Sequence, residues 1–201
     1  GGEKAVKKIF WGFFFVYLNF NLTINGFGLN LIPDFVGYIL LYQAAGTLAG
    51  ESGQFRKLQP FSVAMAIYTG ILWVGELLGI TGETWLDMLL DTVALGVSLY
   101  ISWNVIQAIL EIEENRGADL NGRAVRRDWL VLVIAQIVSV GILLLFRSLL
   151  LITSEVLLIS ALLLFVALAL VAVIIRFLSS LWKCAGLYDG LPPKDSGLEN
   201  L

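Results

Sequence analysis

Histidine is absent from this chain, cysteine occurs once, and charged side chains make up only 14% of its residues. Each scarcity removes a class of chemistry. Without histidine there is no usual haem ligand, the commonest zinc ligand is missing, and so is the general base most enzymes use near neutral pH. Neither an HExxH helix nor a GxSxG nucleophile elbow occurs, so the expectation is no enzyme and no cofactor. The lone Cys184 excludes an intrachain disulfide and leaves the redox compartment unreadable. A formal charge of -3 supplies no basic surface for nucleic acid.

What the chain has instead is apolar length. Hydrophobic residues make up 58% of it and the mean hydropathy is +0.85. A soluble domain carries about a quarter of its residues charged, because its surface must face water. Val156 to Ile175, "VLLISALLLFVALALVAVII", has Ser160 as its only polar side chain. Twenty helical residues cover about 30 Å, the thickness of a bilayer's hydrocarbon core. The first apolar run follows lysines, as a signal peptide would. No small-residue cleavage site follows it and further apolar segments do, so it reads as a first membrane helix.

The expected fold is an all-α polytopic membrane protein, one domain over residues 1–188 with a polar tail at 189–201. Helices are expected at about 8–27, 33–50, 60–80, 85–112, 129–150 and 154–183, with Pro33 and Pro60 at helix starts. Lys4, Lys7, Lys8, Arg56, Lys57, Arg116, Arg123, Arg126, Arg127, Arg176, Lys183 and Lys194 fall on one side of that weave. Arg147 alone falls on the other, so both ends are expected in the cytoplasm. The opposite side is acidic, with Asp34, Glu76, Glu83, Asp87, Asp91 and Glu155.

Polar side chains recur at helical spacing inside the apolar runs. At 100° per residue, Asp87, Asp91, Ser98 and Ser102 fall within about 60° of arc, beside Ala94. Ser62, Thr69 and Glu76 recur at the spacing that keeps one helix face, together with Trp73, and Gln136 lies within about 20° of Arg147. A carboxylate at membrane depth is paired, protonated or beside water. Two readings therefore stand. Glu76 or Asp91 pairs with Arg147 and holds helices in register, or Glu76, Asp87, Asp91, Arg147, Ser98, Ser102, Thr69 and Gln136 line an outward-facing polar cavity. Asp34 reads as a helix-start residue.

The stretch "NFNLTINGFGLNLIPDF", residues 19–35, is odd between apolar runs. A helix would scatter Asn19, Asn21, Thr23 and Asn25 around its surface, whereas an extended chain puts them on one face. Extended backbone at membrane depth survives only under protein or beside a watery cavity. Residues 19–32 are therefore expected to form a re-entrant cap, against the plainer reading of an interfacial loop.

The function expected is a small transporter or channel for a cation or cationic small molecule. The alternative is a non-catalytic partner subunit or scaffold, homo-oligomeric or bound to another membrane protein, whose stripes are interhelical contacts. "LNLIPDFVGYILLY", with the preceding "KKIFWGFFF", resembles small six-helix membrane proteins of Gram-positive bacteria. That resemblance implies a bacterial cytoplasmic membrane and no particular activity.

Overall fold

The computed structural model describes residues 3–18, 21–24, 27–30, 33–78, 85–150 and 156–192. Six helices run α1 (Glu3–Tyr17), α2 (Asp34–Leu48), α3 (Gly53–Leu77), α4 (Trp85–Arg116), α5 (Gly122–Leu150) and α6 (Val156–Asp189). Each packs on its neighbour in the chain, and α6 returns to α1, which closes a ring. Three runs are long and apolar enough to cross a membrane: Gly53–Gly75, Thr92–Arg116 and Leu158–Asp189.

The helical class holds, with one addition. Between α1 and α2, strands β1 (Asn21–Ile24) and β2 (Phe27–Asn30) pair antiparallel, Asn21 opposite Asn30. The first helix therefore stops at Tyr17, short of the expected 27, and the chain goes on extended. The residues linking the strands are Asn25-Gly26, a pair that favours two-residue hairpins. Helices α1 and α2 have 15 residues each, about 22 Å, less than a hydrocarbon core. Strands of this length add about 13 Å. The sum approaches the roughly 37 Å of α3, against which β2 lies.

Two other starts are corrected. Helix α3 begins at Gly53, with Pro60 inside it. Ser52 provides the start, its Oγ accepting from the Gln54 N–H at 3.1 Å. The bond that Pro60 forfeits is to the carbonyl of Arg56; both residues are exposed, and Phe55 and Leu58 are buried. Burial of that face outweighs the lost bond. Helix α5 begins at Gly122 rather than 129, because Glu113 Oε1 accepts from Leu120 N and Gly122 N, each at 2.7 Å. Gly117 and Asn121 take positive φ of 60° and 64° in the connection, as a tight exit from α4 requires.

Glycine sets the closest helix pair. A Cβ on Gly37 would stand 2.6 Å from the Gly12 carbonyl, and one on Gly12 would meet Leu41 Cγ at 2.7 Å. Bare backbones thus let α1 and α2 approach to near contact.

Among the described residues, the core fills one half of the ring. Phe13, Phe55, Leu58, Ile101, Val105, Ile106, Leu132 and Phe177 are all but inaccessible. Ion pairs knit the same end: Lys7 Nζ to Asp189 Oδ2 at 2.6 Å, and Arg116 to Glu51. Arg116 Nη1 also donates to the Pro192 carbonyl at 2.8 Å, and Ser52 Oγ to Glu111 Oε2 at 2.6 Å. Toward the other end, Ile67 and Ile71 on α3, Val93 on α4, Ile134 and Ile137 on α5, and Leu164 and Phe165 on α6 stand exposed. Such a surface suits lipid and not water.

Candidate functional site

Helices α1 and α4 stand opposite one another in the ring, so a contact between them is made across its middle. Tyr17, the last residue of α1, aims its hydroxyl at Ser98 and Ser102 of α4. Tyr38 of α2 faces Ser98 as well, with Tyr17 and Asp34 close by. Opposite, the Trp129 indole N–H of α5 donates to Ser102 Oγ at 2.8 Å. Ser102 Oγ in turn donates to the Leu99 carbonyl at 2.9 Å. Four helices thus converge on a small group of hydroxyls.

Side-chain direction explains the convergence. A helical tyrosine leans back toward its own N-terminus, so Tyr17 reaches down into the ring from the end of α1. Ser98 and Ser102 are one turn apart and share a face. Ser102 is 0% exposed and Ser98 7%.

The hydrogen-bonding inventory does not close. Among the described residues, Tyr17 Oη is buried beside both serines yet makes no hydrogen bond of normal geometry, and Ser62 Oγ and Gln136 Oε1 are also buried without a partner. A hydroxyl removed from water without a partner costs about 1–3 kcal/mol on protein scales. Below the cluster, Val105, Ile106, Phe13 and Phe177 pack shut. The indole N–H closes the path in another way, since it only donates and cannot relay a proton onward.

Among the expected site residues, Ser98 and Ser102 come together here. Thr69 does not: its Oγ1 turns back to the Met65 carbonyl at 2.7 Å. Gln136 keeps a buried amide oxygen. Asp34 opens α2, as expected of a helix-start residue, although no side-chain cap bond forms there. The side chains of Glu76, Asp87, Asp91, Arg147 and Asn21 lie outside the described residues, as do Asn19 and Asn25. Whether Arg147 pairs with a carboxylate thus falls outside them too.

Tyr17, Tyr38 and Trp129 were not expected in the site. In an apolar helix such residues read as packing or as an aromatic belt. The available signal was the polar handle of each, which needs a partner once buried. Among the described residues, no group of three or more Cys, Asp or Glu gathers as a metal site. A cleft of about 770 Å³ opens at the α4–α5 connection, lined by Glu113, Asp119, Asn121, Arg123 and Arg127 among others. It is distant along both helices from the hydroxyl cluster.

Comparison with protein-family models, curated proteins and solved structures gives no match. The class that the fold defines is a six-helix bundle whose α3, α4 and α6 carry membrane-compatible runs.

Proposed function

We propose that this is a multi-pass protein of the bacterial cytoplasmic membrane, both ends in the cytoplasm, that takes up a cation or cationic small molecule from the outer side. The observation that carries the reading is the buried Tyr17 hydroxyl facing Ser98 and Ser102, with no hydrogen bond of normal geometry among the described residues. Hydroxyl oxygens offer lone pairs to an ammonium group or a partly dehydrated metal ion without a fixed charge to desolvate. The packed half beneath them supports access from one side only. Glu76, Asp87 and Asp91, on the acidic side of the sequence, would gather cations there.

Thermal shift in detergent tests this, across pH, metal ions and organic cations, on wild type, Tyr17→Phe and Asp91→Asn. A ligand of the folded state raises stability by mass action. A cation that stabilises wild type and loses its effect in Tyr17→Phe supports the site. Absence of any shift in wild type, with Tyr17→Phe melting higher, removes it.

A partner-subunit role has one observation in its favour. Away from the packed core, α4 and α5 expose Leu89, Val93, Leu95, Ile134, Ile137, Val138 and Val140, and α4 packs on α5 more sparsely than other neighbours pack. A further apolar helix fits that seam. A single monomeric species at all protein concentrations in mild detergent counts against it.

A further inference from the structure

Asp128 is the most enclosed carboxylate whose contacts the structure describes, and it is held from two helices. Its side chain is 4% exposed, yet two guanidinium groups reach it: Arg176 Nε of α6 at 3.0 Å and Arg127 Nε of α5 at 3.3 Å, both on Oδ1. Ser180 Oγ donates to Oδ2. The carboxylate thereby accepts from three donors, and both arginines are oriented by it. Their side chains remain 65% (Arg127) and 57% (Arg176) exposed. Each spends its Nε on Asp128, and the terminal Nη groups make no hydrogen bond among the described residues. Two positive charges against one negative leave a surplus of one, which matches a phosphodiester.

Placement decides the occupant. Arg176 is the first charged residue after the apolar run of α6, and Arg127 lies just before the apolar run of α5. On the membrane reading proposed above, both lie at the boundary between headgroups and hydrocarbon. Above Arg127, on its own face of α5, come Leu130, Val131 and Ile134, exposed by 44%, 37% and 60%. Above Arg176, on its face of α6, come Ala172, Ala169 and Phe165, all exposed. Each arginine therefore sits at the foot of an apolar strip that rises into the membrane. A soluble anion has no use for such strips, whereas acyl chains do. Nearby, Arg126 lies over the Trp103 ring, 5.7 Å from its centroid, adding a third cation at the same rim.

We propose that Arg127 and Arg176, fixed by Asp128, clamp the phosphate of an anionic phospholipid in the inner leaflet, with its chains laid along α5 and α6. Arginine suits the task because its planar fork binds phosphate oxygens in pairs, and pre-orientation by Asp128 removes part of the ordering cost.

The test uses the full chain in phosphatidylcholine nanodiscs with or without phosphatidylglycerol, bound lipid being counted by native mass spectrometry after release into detergent. Wild type is expected to retain phosphatidylglycerol over phosphatidylcholine. R127Q/R176Q is expected to bind it roughly tenfold to a hundredfold more weakly, as the loss of charge-assisted bonds implies. R123Q, which removes a charge from the same helix without touching Asp128, should stay within about twofold, a change worth well under 1 kcal/mol. Equal retention in R127Q/R176Q overturns the proposal, and so does an equal loss in R123Q, which would mark diffuse attraction. Stabilisation of wild type by inorganic phosphate alone, matching that by the lipid, also overturns it in favour of a soluble-anion site. Should R127Q/R176Q not fold, R127K/R176K decides: it keeps the charge and loses the fork, and wild-type retention there overturns the clamp.

Discussion

The Trp129 indole N–H donates to Ser102 Oγ at 2.8 Å, and this buried bond ties α5 to α4 where those helices otherwise pack sparsely. The two partners depend on it unequally. Ser102 Oγ has a second partner in the Leu99 carbonyl; the indole N–H has Ser102 alone among the described residues.

Ser102→Ala is therefore expected to cost about 1–3 kcal/mol, the penalty of an orphaned buried donor. Trp129→Phe loses packing but orphans nothing. In a double-mutant cycle read by chemical unfolding in detergent, Ser102→Ala should cost far less in the Trp129→Phe background. Additive costs would mean the bond carries no energy.

The α4–α5 connection gives a second expectation. Both N–H groups at Leu120 and Gly122 donate to one oxygen of Glu113. Glu113→Ala leaves both without that acceptor, and should destabilise by about 1–3 kcal/mol and open residues 117–122 to limited proteolysis. Glu113→Gln keeps an acceptor oxygen without the charge and should fall between. If Glu113→Ala is cut no faster than wild type, the capping role is refuted.

Close approach of α1 and α2 makes a third. Gly37→Ala places a methyl 2.6 Å from the Gly12 carbonyl, which is backbone and cannot step aside; Gly12→Ala meets chiefly the Leu41 side chain, at 2.7 Å. Both should destabilise, by about 1–3 kcal/mol, with Gly37→Ala the worse. Reversal of that order in thermal unfolding would show the helices can slide apart.

Asp128 supplies a fourth. Removing the carboxylate in Asp128→Ala leaves Ser180 buried without its acceptor and frees both arginines. The Arg pairs are more than half exposed, so water takes up much of their loss, and the expected cost is about 1–3 kcal/mol from the buried side. Unchanged stability to denaturant would place the α5–α6 contact elsewhere.

Much of the architecture was legible in apolar periodicity. Charge-free runs marked α6 and the body of α3, α4 and α5, because lipid-compatible length is a coarse property that survives any detail of packing. Helix starts were less legible. Pro60 was expected to open α3, yet the signal lay earlier, at Ser52, whose hydroxyl caps the helix while proline sits on the exposed side. The extended character of residues 21–24 and 27–30 follows from the alternation of amides; the signal for their antiparallel pairing lies in the Asn25-Gly26 pair of the sequence between them. Ser98 and Ser102 could be placed on one face by counting residues. Tyr17, Tyr38 and Trp129 could not be joined to them, since periodicity says which residues share a helix face and nothing about which faces oppose one another.

The return of α6 to α1 bears on how the chain is made. Phe13 stacks edge-on against Phe177, and Phe10 against Trp182, while Lys7 bonds Asp189. The partners of α1 on that side thus leave the ribosome well after α1 itself, with four helices made between them. At about 5–20 residues per second the wait is on the order of ten seconds or more. Through that interval the aromatic flank of α1 is covered by lipid, by insertion machinery or by another subunit. The ring is finished only from its far end, so a synthesis halted before α6 leaves an open arc with its stickiest edge displayed.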